Sequence, residues 1–97
     1  MLHRTVPRQA FGFFTEEMDG ESVLFRLGRP KAIHLNETAA LIWKLSDGTR
    51  SVQDLIDFLK AEYPDAQSDV EVDVERAVAD LMRVGALLST EAKSATP

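Results

Sequence analysis

Residues 33–88 constrain the fold most, because a short apolar strand runs there directly into three helix-forming segments. Asn36 is placed to cap the first segment, since its side chain accepts hydrogen bonds from the free amides of a first helical turn. Gly48 follows at the position of the left-handed residue that ends a helix. The sequence therefore predicts a first helix that runs to about Ser46.

The second and third segments carry capping boxes, in which an acidic residue three positions after a serine completes the N-terminal hydrogen bonds. Ser51 opens the second segment and Pro64 stops it, whereas Ser68 opens the third segment and Gly85 ends it. Apolar residues at helical spacing give each segment one face for a core. These stripes contain Val52, Leu55, Ile56, Leu59 and Tyr63 in the second segment, and Val70, Val74, Ala77, Val78, Leu81 and Val84 in the third.

The residues before the helices predict three strands. Asp19 and Gly20 form a turn dipeptide inside a hairpin, and the alternation over residues 23–27 is typical of a strand with one face on a core. Residues 31–35 form a third short strand, and the proline before them suits a strand start or a sheet edge. We therefore expect an α+β fold, a winged-helix-like domain with a three-stranded antiparallel β-sheet followed by three α-helices.

A chain of 97 residues is expected to form one domain with a single modest core. Trp43 is interpreted as part of that core, because large aromatic side chains dominate burial in small domains. The domain should span residues 10–88, between a flexible N-terminal arm of residues 1–9 and a disordered tail of residues 89–97. No apolar run approaches the roughly 20 residues of a membrane helix, and no signal-peptide core is visible, so we expect a cytoplasmic protein without a membrane partner.

No set of residues predicts catalysis or metal binding. The chain has no cysteine, which excludes disulfides, thiolate zinc sites and cysteine nucleophiles. His3 and His34 lack a second histidine at metal-ligand spacing, and Asp69, Glu71 and Asp73 are better explained as a solvated helix start. We therefore expect that the chain is not an enzyme and that it binds no metal and no cofactor.

The charge of the chain argues against DNA as a partner. The net charge is −5, and the basic residues of the last helical segment are Arg76 and Arg83, outnumbered by acidic ones. Because phosphate binding draws on lysine and arginine, a winged-helix regulator that binds DNA is kept only as an alternative. A second alternative is a docking or dimerisation module that uses an exposed strand edge, so both a monomer and a homodimer stay open.

The sequence from Val23 to Leu88 resembles the PqqD family, small proteins of pyrroloquinoline quinone biosynthesis and their relatives. A strand leads into L-N-x-T-A-x-x-I-W and then D-G, a Tyr-Pro pair lies near the end of the second helix, D-V lies on the third, and G-x-L-L closes the match. The resemblance implies a recognition element for ribosomally synthesised and post-translationally modified peptides (RiPPs). Such a domain binds the leader of a precursor peptide and presents it to a modifying enzyme, such as a radical SAM protein or a leader peptidase.

In that family the leader adds as a strand to the third strand and lies against the third helix. The residues alone predict the same mode of binding, because a short strand after a proline is typical of a free sheet edge that can accept a further strand by β-augmentation. Arg29 and Lys31 are expected to attract an acidic leader, with help from Arg76. The expected peptide-binding residues are Arg29, Lys31, Ala32, Ile33, His34, Leu35, Asp73, Arg76, Ala77, Asp80, Leu81 and Val84.

Overall fold

The structure is a computed structural model that describes residues 2–29 and 32–89. The order of the elements confirms the expected α+β class, a three-stranded antiparallel sheet followed by three helices. In chain order they are a 3₁₀ turn at Leu2–Arg4, β1 (Pro7–Gln9), β2 (Phe13–Met18), β3 (Glu21–Arg26), β4 (Ala32–Leu35), α1 (Glu37–Leu45), α2 (Val52–Glu62), a 3₁₀ turn at Pro64–Ala66, α3 (Gln67–Arg83) and β5 (Leu87–Ser89).

The main sheet has the strand order β2-β3-β4, and both pairings are antiparallel. The predicted turn dipeptide joins β2 to β3, with φ of 54° at Asp19 and 79° at Gly20. Positive φ at both central residues is the mark of a type I′ turn, whose twist matches that of the flanking strands. The hairpin prediction is therefore confirmed, although Leu27 lies beyond β3 and is exposed.

The caps of the first two helices form as predicted. The Asn36 side chain accepts a hydrogen bond from the Ala39 amide at 2.8 Å. Ser51 and Asp54 exchange both hydrogen bonds of a capping box at the start of α2. Ser68 does not act as the expected cap, because the 3₁₀ turn at Pro64–Ala66 leads directly into α3 and places Ser68 inside its first turn.

A Schellman motif ends α3. The Gly85 amide donates to the Met82 carbonyl at 3.0 Å, and the Ala86 amide donates to the Leu81 carbonyl at 2.8 Å. Gly85 has a φ of 83°, the left-handed conformation that this motif requires. The chain is thereby turned back along the helix towards β5, as the glycine in the sequence indicated.

The core consists of two neighbouring clusters of buried side chains. One lies among the three helices, and the other joins the main sheet to α1, α3 and β5. Trp43 is 3% exposed and belongs to the second cluster, so its assignment to the core is confirmed. Its ring meets the edge of Phe13 at a centroid distance of 6.3 Å. Trp43 is thus the largest side chain in the cluster that packs the sheet on the helices.

Residues 2–9 differ from the flexible arm expected from the sequence. β1 pairs antiparallel with β5, and Pro7 opposes Ser89. Thr5 and Pro7 are buried, and their carbonyls accept hydrogen bonds from the Val52 amide at 2.8 Å and the Gly48 amide at 3.0 Å. The C-terminal strand therefore joins β1 in a separate two-stranded sheet, not the main sheet. Residues 90–97 of the expected tail lie outside the described residues.

Within the described part of the chain, no helix is both long and apolar enough to cross a membrane.

Candidate functional site

One edge of the main sheet is formed by β4, and the hairpin turn determines which of its amides and carbonyls point outward. A β-turn joins its first and fourth residues, so Met18 and Glu21 form a hydrogen-bonded pair. Because such pairs alternate with non-bonded ones, every second residue of β3 directs its amide and carbonyl towards β2. The Leu27 amide continues this series, since it donates to the Gly12 carbonyl at 2.9 Å.

The intervening residues of β3, Ser22 and Leu24, therefore turn their main-chain groups towards β4. They lie opposite Leu35 and Ile33 in the register. Ala32 and His34 occupy the alternate positions, so their amides and carbonyls point away from β3. In the chain as described, no strand pairs with this outer side of β4. The edge thus offers two amide donors and two carbonyl acceptors in strand geometry.

A groove of about 320 Å³ lies between β4 and α3. Apolar side chains form its floor, and Val84, the residue that follows α3, remains 45% exposed. Charged side chains of α3 form the rim. The lining residues are Ile33, His34, Leu35, Asn36, Thr38, Ala39, Asp73, Arg76, Ala77, Asp80, Leu81, Arg83 and Val84.

The structure brings most of the expected peptide-binding residues together in this groove. The expected residues of α3, the residue just after it and three residues of β4 line the groove, namely Ile33, His34, Leu35, Asp73, Arg76, Ala77, Asp80, Leu81 and Val84. Ala32 lies in β4 beside the groove and presents its main chain at the edge. Arg29 lies in the loop before β4 and does not line the groove, and Lys31 lies outside the described residues.

The contribution of α1 to the groove was not predicted from the sequence. Asn36, Thr38 and Ala39 line it because a single residue separates β4 from α1, which brings the first turn of the helix to the groove. The short connection between strand and helix was visible in the sequence. Arg83 was also missed, although its position three residues after Asp80 places both on one helix face.

The rim of the groove has one cation that is open to a ligand. Arg83 forms an ion pair with Asp80, which occupies both side chains. Across residues 2–29 and 32–89, no carboxylate lies within ion-pair distance of Arg76. Arg76 is exposed at the groove and has a rigid fork of donors suited to a carboxylate. An acidic side chain of a bound chain would meet it there.

A second cavity, of about 800 Å³, lies on the other side of His34, between the hairpin end and α1. His34 lines both cavities, and its Nδ1 lies 3.1 Å from Glu21 Oε1. Glu37 accepts a hydrogen bond from the Tyr63 hydroxyl at 3.3 Å. Desolvation raises the pKa of Tyr63, and the negative charge of Glu37 raises it further. Glu17, Glu21 and Glu37 make this cavity acidic.

The arrangement in the groove suits binding of an extended chain. Its convergent groups are strand-edge amides and carbonyls, an apolar floor and one open cation. These groups support the binding of an extended chain.

Comparisons with known proteins agree with this geometry. A family model described as "Coenzyme PQQ synthesis protein D (PqqD)" matches residues 21–87, which include β3, β4 and all three helices. A similar solved structure is the PqqD truncation of Methylobacterium extorquens PqqCD, described as a functional and stand-alone RiPP recognition element. The TM-score is 0.68 at 25% identity, over 86% of this chain and 88% of that chain. None of the curated proteins matches the chain.

Proposed function

This chain belongs to the PqqD family, and we propose that it is a recognition element that binds the leader segment of a ribosomally synthesised precursor peptide. The open outer edge of β4 beside the apolar groove is the observation that carries the proposal. The leader adds to this edge as a further strand, a recurring mode of peptide recognition. The domain performs no chemistry itself and presents the peptide to an enzyme, such as a radical SAM protein or a leader peptidase.

The backbone of the leader pairs with Ala32 and His34. Their two amides and two carbonyls give about four hydrogen bonds, each contributing roughly 1 kcal/mol. These bonds are independent of the peptide sequence, because they use main-chain groups alone. The main-chain hydrogen bonds fix the register of the peptide on β4, whereas the side chains of the peptide determine which sequence is bound.

Selectivity comes from the side chains that point into the groove. Alternate residues of a strand share a face, so every second leader residue meets the apolar floor formed by Ala77, Leu81 and Val84. An acidic residue at the rim meets Arg76. We therefore propose a leader with alternating apolar residues and at least one carboxylate.

A nuclear magnetic resonance titration tests this proposal. The probe is a synthetic leader peptide with the proposed pattern of alternating apolar residues and one carboxylate, added to the full chain labelled with ¹⁵N. We expect saturable shifts of amide signals in β4 and along residues 73–84, which comprise the second half of α3 and the residue after it. Shifts confined to β1 and β5, or no saturable shifts, would contradict strand addition at β4.

A charge reversal tests the role of Arg76. Arg76→Glu should weaken binding of an acidic leader by about fivefold, because an exposed charge pair contributes up to about 1 kcal/mol. The difference should shrink at high salt, which screens exposed charges. Arg4→Glu serves as the control, since it changes the net charge equally but lies outside the groove. Equal losses in both variants would show that net charge, not the groove contact, governs affinity; calorimetry measures both.

A further inference from the structure

A side-chain cluster on α3, away from the groove, joins the N-terminal segment to this helix. His3 Nε2 lies 3.4 Å from Glu71 Oε2 and 2.5 Å from Glu75 Oε2. One ligand atom from each residue falls within 4.8 Å of the others. Glu71 and Glu75 are four residues apart, so one face of α3 presents both carboxylates to the imidazole.

We propose that His3, Glu71 and Glu75 bind a divalent transition-metal cation of the zinc type. Imidazole nitrogen and carboxylate oxygen ligate zinc at about 2.0–2.2 Å, which places the ligands of a tetrahedral site about 3.4 Å apart. The distance from His3 to Glu71 already has this value. Glu75 has to withdraw from His3 by about 1 Å, and the oxygens of Glu71 and Glu75, which lie within 4.8 Å of each other, have to adjust to the same spacing; rotation of the two flexible side chains provides both changes. A fourth position is left for water.

The charge of the cluster favours a divalent cation over a simple ion pair. Two carboxylates share one imidazole, so the cluster has a charge of −1 when His3 is protonated and −2 when it is neutral. A divalent cation neutralises the second state and uses the neutral imidazole as a ligand. The three side chains are 31%, 48% and 38% exposed for His3, Glu71 and Glu75, which leaves the site open to solvent ions.

The cluster lies on the opposite flank of α3 from the groove. At 100° per residue, the buried stripe of Val70, Val74 and Val78 separates Glu71 and Glu75 from the groove residues. A bound cation would therefore tie the 3₁₀ turn at Leu2–Arg4 to α3 without occupying the peptide groove. This inference is independent of the proposed peptide binding.

Calorimetry with zinc chloride and the full chain tests the site. We expect one zinc ion per chain, with binding weakened at least about tenfold by His3→Gln, Glu71→Gln or Glu75→Gln, because each removes one of three ligands. His34→Gln is the matched control, since His34 pairs with Glu21 elsewhere. At free zinc about 100 times the Kd, the unfolding midpoint should rise by roughly 10 °C.

Proton resonances of the two imidazoles identify the ligand directly. Zinc should shift the signals of His3 and leave those of His34 unchanged. The proposal is overturned by the absence of saturable binding to the wild-type chain, or by zinc affinity that is unchanged in a folded His3→Gln variant. Zinc affinity that is lost equally in His34→Gln would also overturn it. Circular dichroism establishes that each variant is folded.

Discussion

Ala32→Pro is expected to weaken binding of the leader peptide at least about tenfold while the domain stays folded. The proline removes an amide that points to the open edge of β4, and it leaves a peptide carbonyl without a donor. The lost bond and the unpaired carbonyl together cost more than about 1.4 kcal/mol, which corresponds to tenfold in affinity. The fold should survive, because the Ala32 amide makes no hydrogen bond to β3.

Isothermal titration calorimetry with the synthetic leader measures this effect. Ala32→Ser is the matched control, because it changes the side chain and keeps the amide; its affinity should stay close to that of the wild type. Ile33→Pro provides a contrast, since the Ile33 amide belongs to the ladder with Leu24 and its loss should destabilise the sheet. An Ala32→Pro variant that is folded and binds the leader with unchanged affinity would refute strand addition at this edge.

Trp43→Ala is expected to lower the free energy of unfolding by about 3–5 kcal/mol. Trp43 packs among buried residues of the sheet, α3 and β5, and the Gln9 side chain donates to its carbonyl at 2.8 Å. Removal of the ring leaves a cavity between the main sheet and the helices. Small domains are stable by only about 5–15 kcal/mol, so this single change removes a large share of the total.

Urea unfolding followed by circular dichroism measures the loss for Trp43→Ala. Phe11→Ala is the control, since Phe11 is 99% exposed and its ring buries little surface. This control should change the free energy of unfolding by less than about 0.5 kcal/mol. A similarly small change for Trp43→Ala would mean that the ring does not hold the sheet on the helices.

The sequence predicted the local elements well, because their signals lie within a few residues. Asn36 and the capping box at Ser51 mark helix starts through hydrogen bonds that span three residues. The Asp19-Gly20 dipeptide specifies the hairpin turn, since glycine adopts positive φ at little cost. The apolar stripes of α2 and α3 likewise indicated which face of each helix is buried.

The candidate groove was predicted in part. The family resemblance pointed to β4 and α3, and the structure places side chains from both along one cavity. Of the neighbouring residues Ala32 and Ile33, only Ala32 has an amide that points outward, because hydrogen-bonded and non-bonded pairs alternate along β4. That alternation depends on the pairing register of three strands, which no short segment of sequence specifies.

The sequence by itself determined the helices, the hairpin and the faces that they bury, because helix caps, turn residues and apolar periodicity depend on residues that are close together in the sequence. Only the tertiary structure decided that β1 pairs with β5 and that His3 lies against Glu75, 72 residues away. A three-residue strand and a single histidine carry almost no local signal. Their partners are set when the core packs and brings the two ends of the chain together, and the physical reason is that long-range contacts depend on the whole fold.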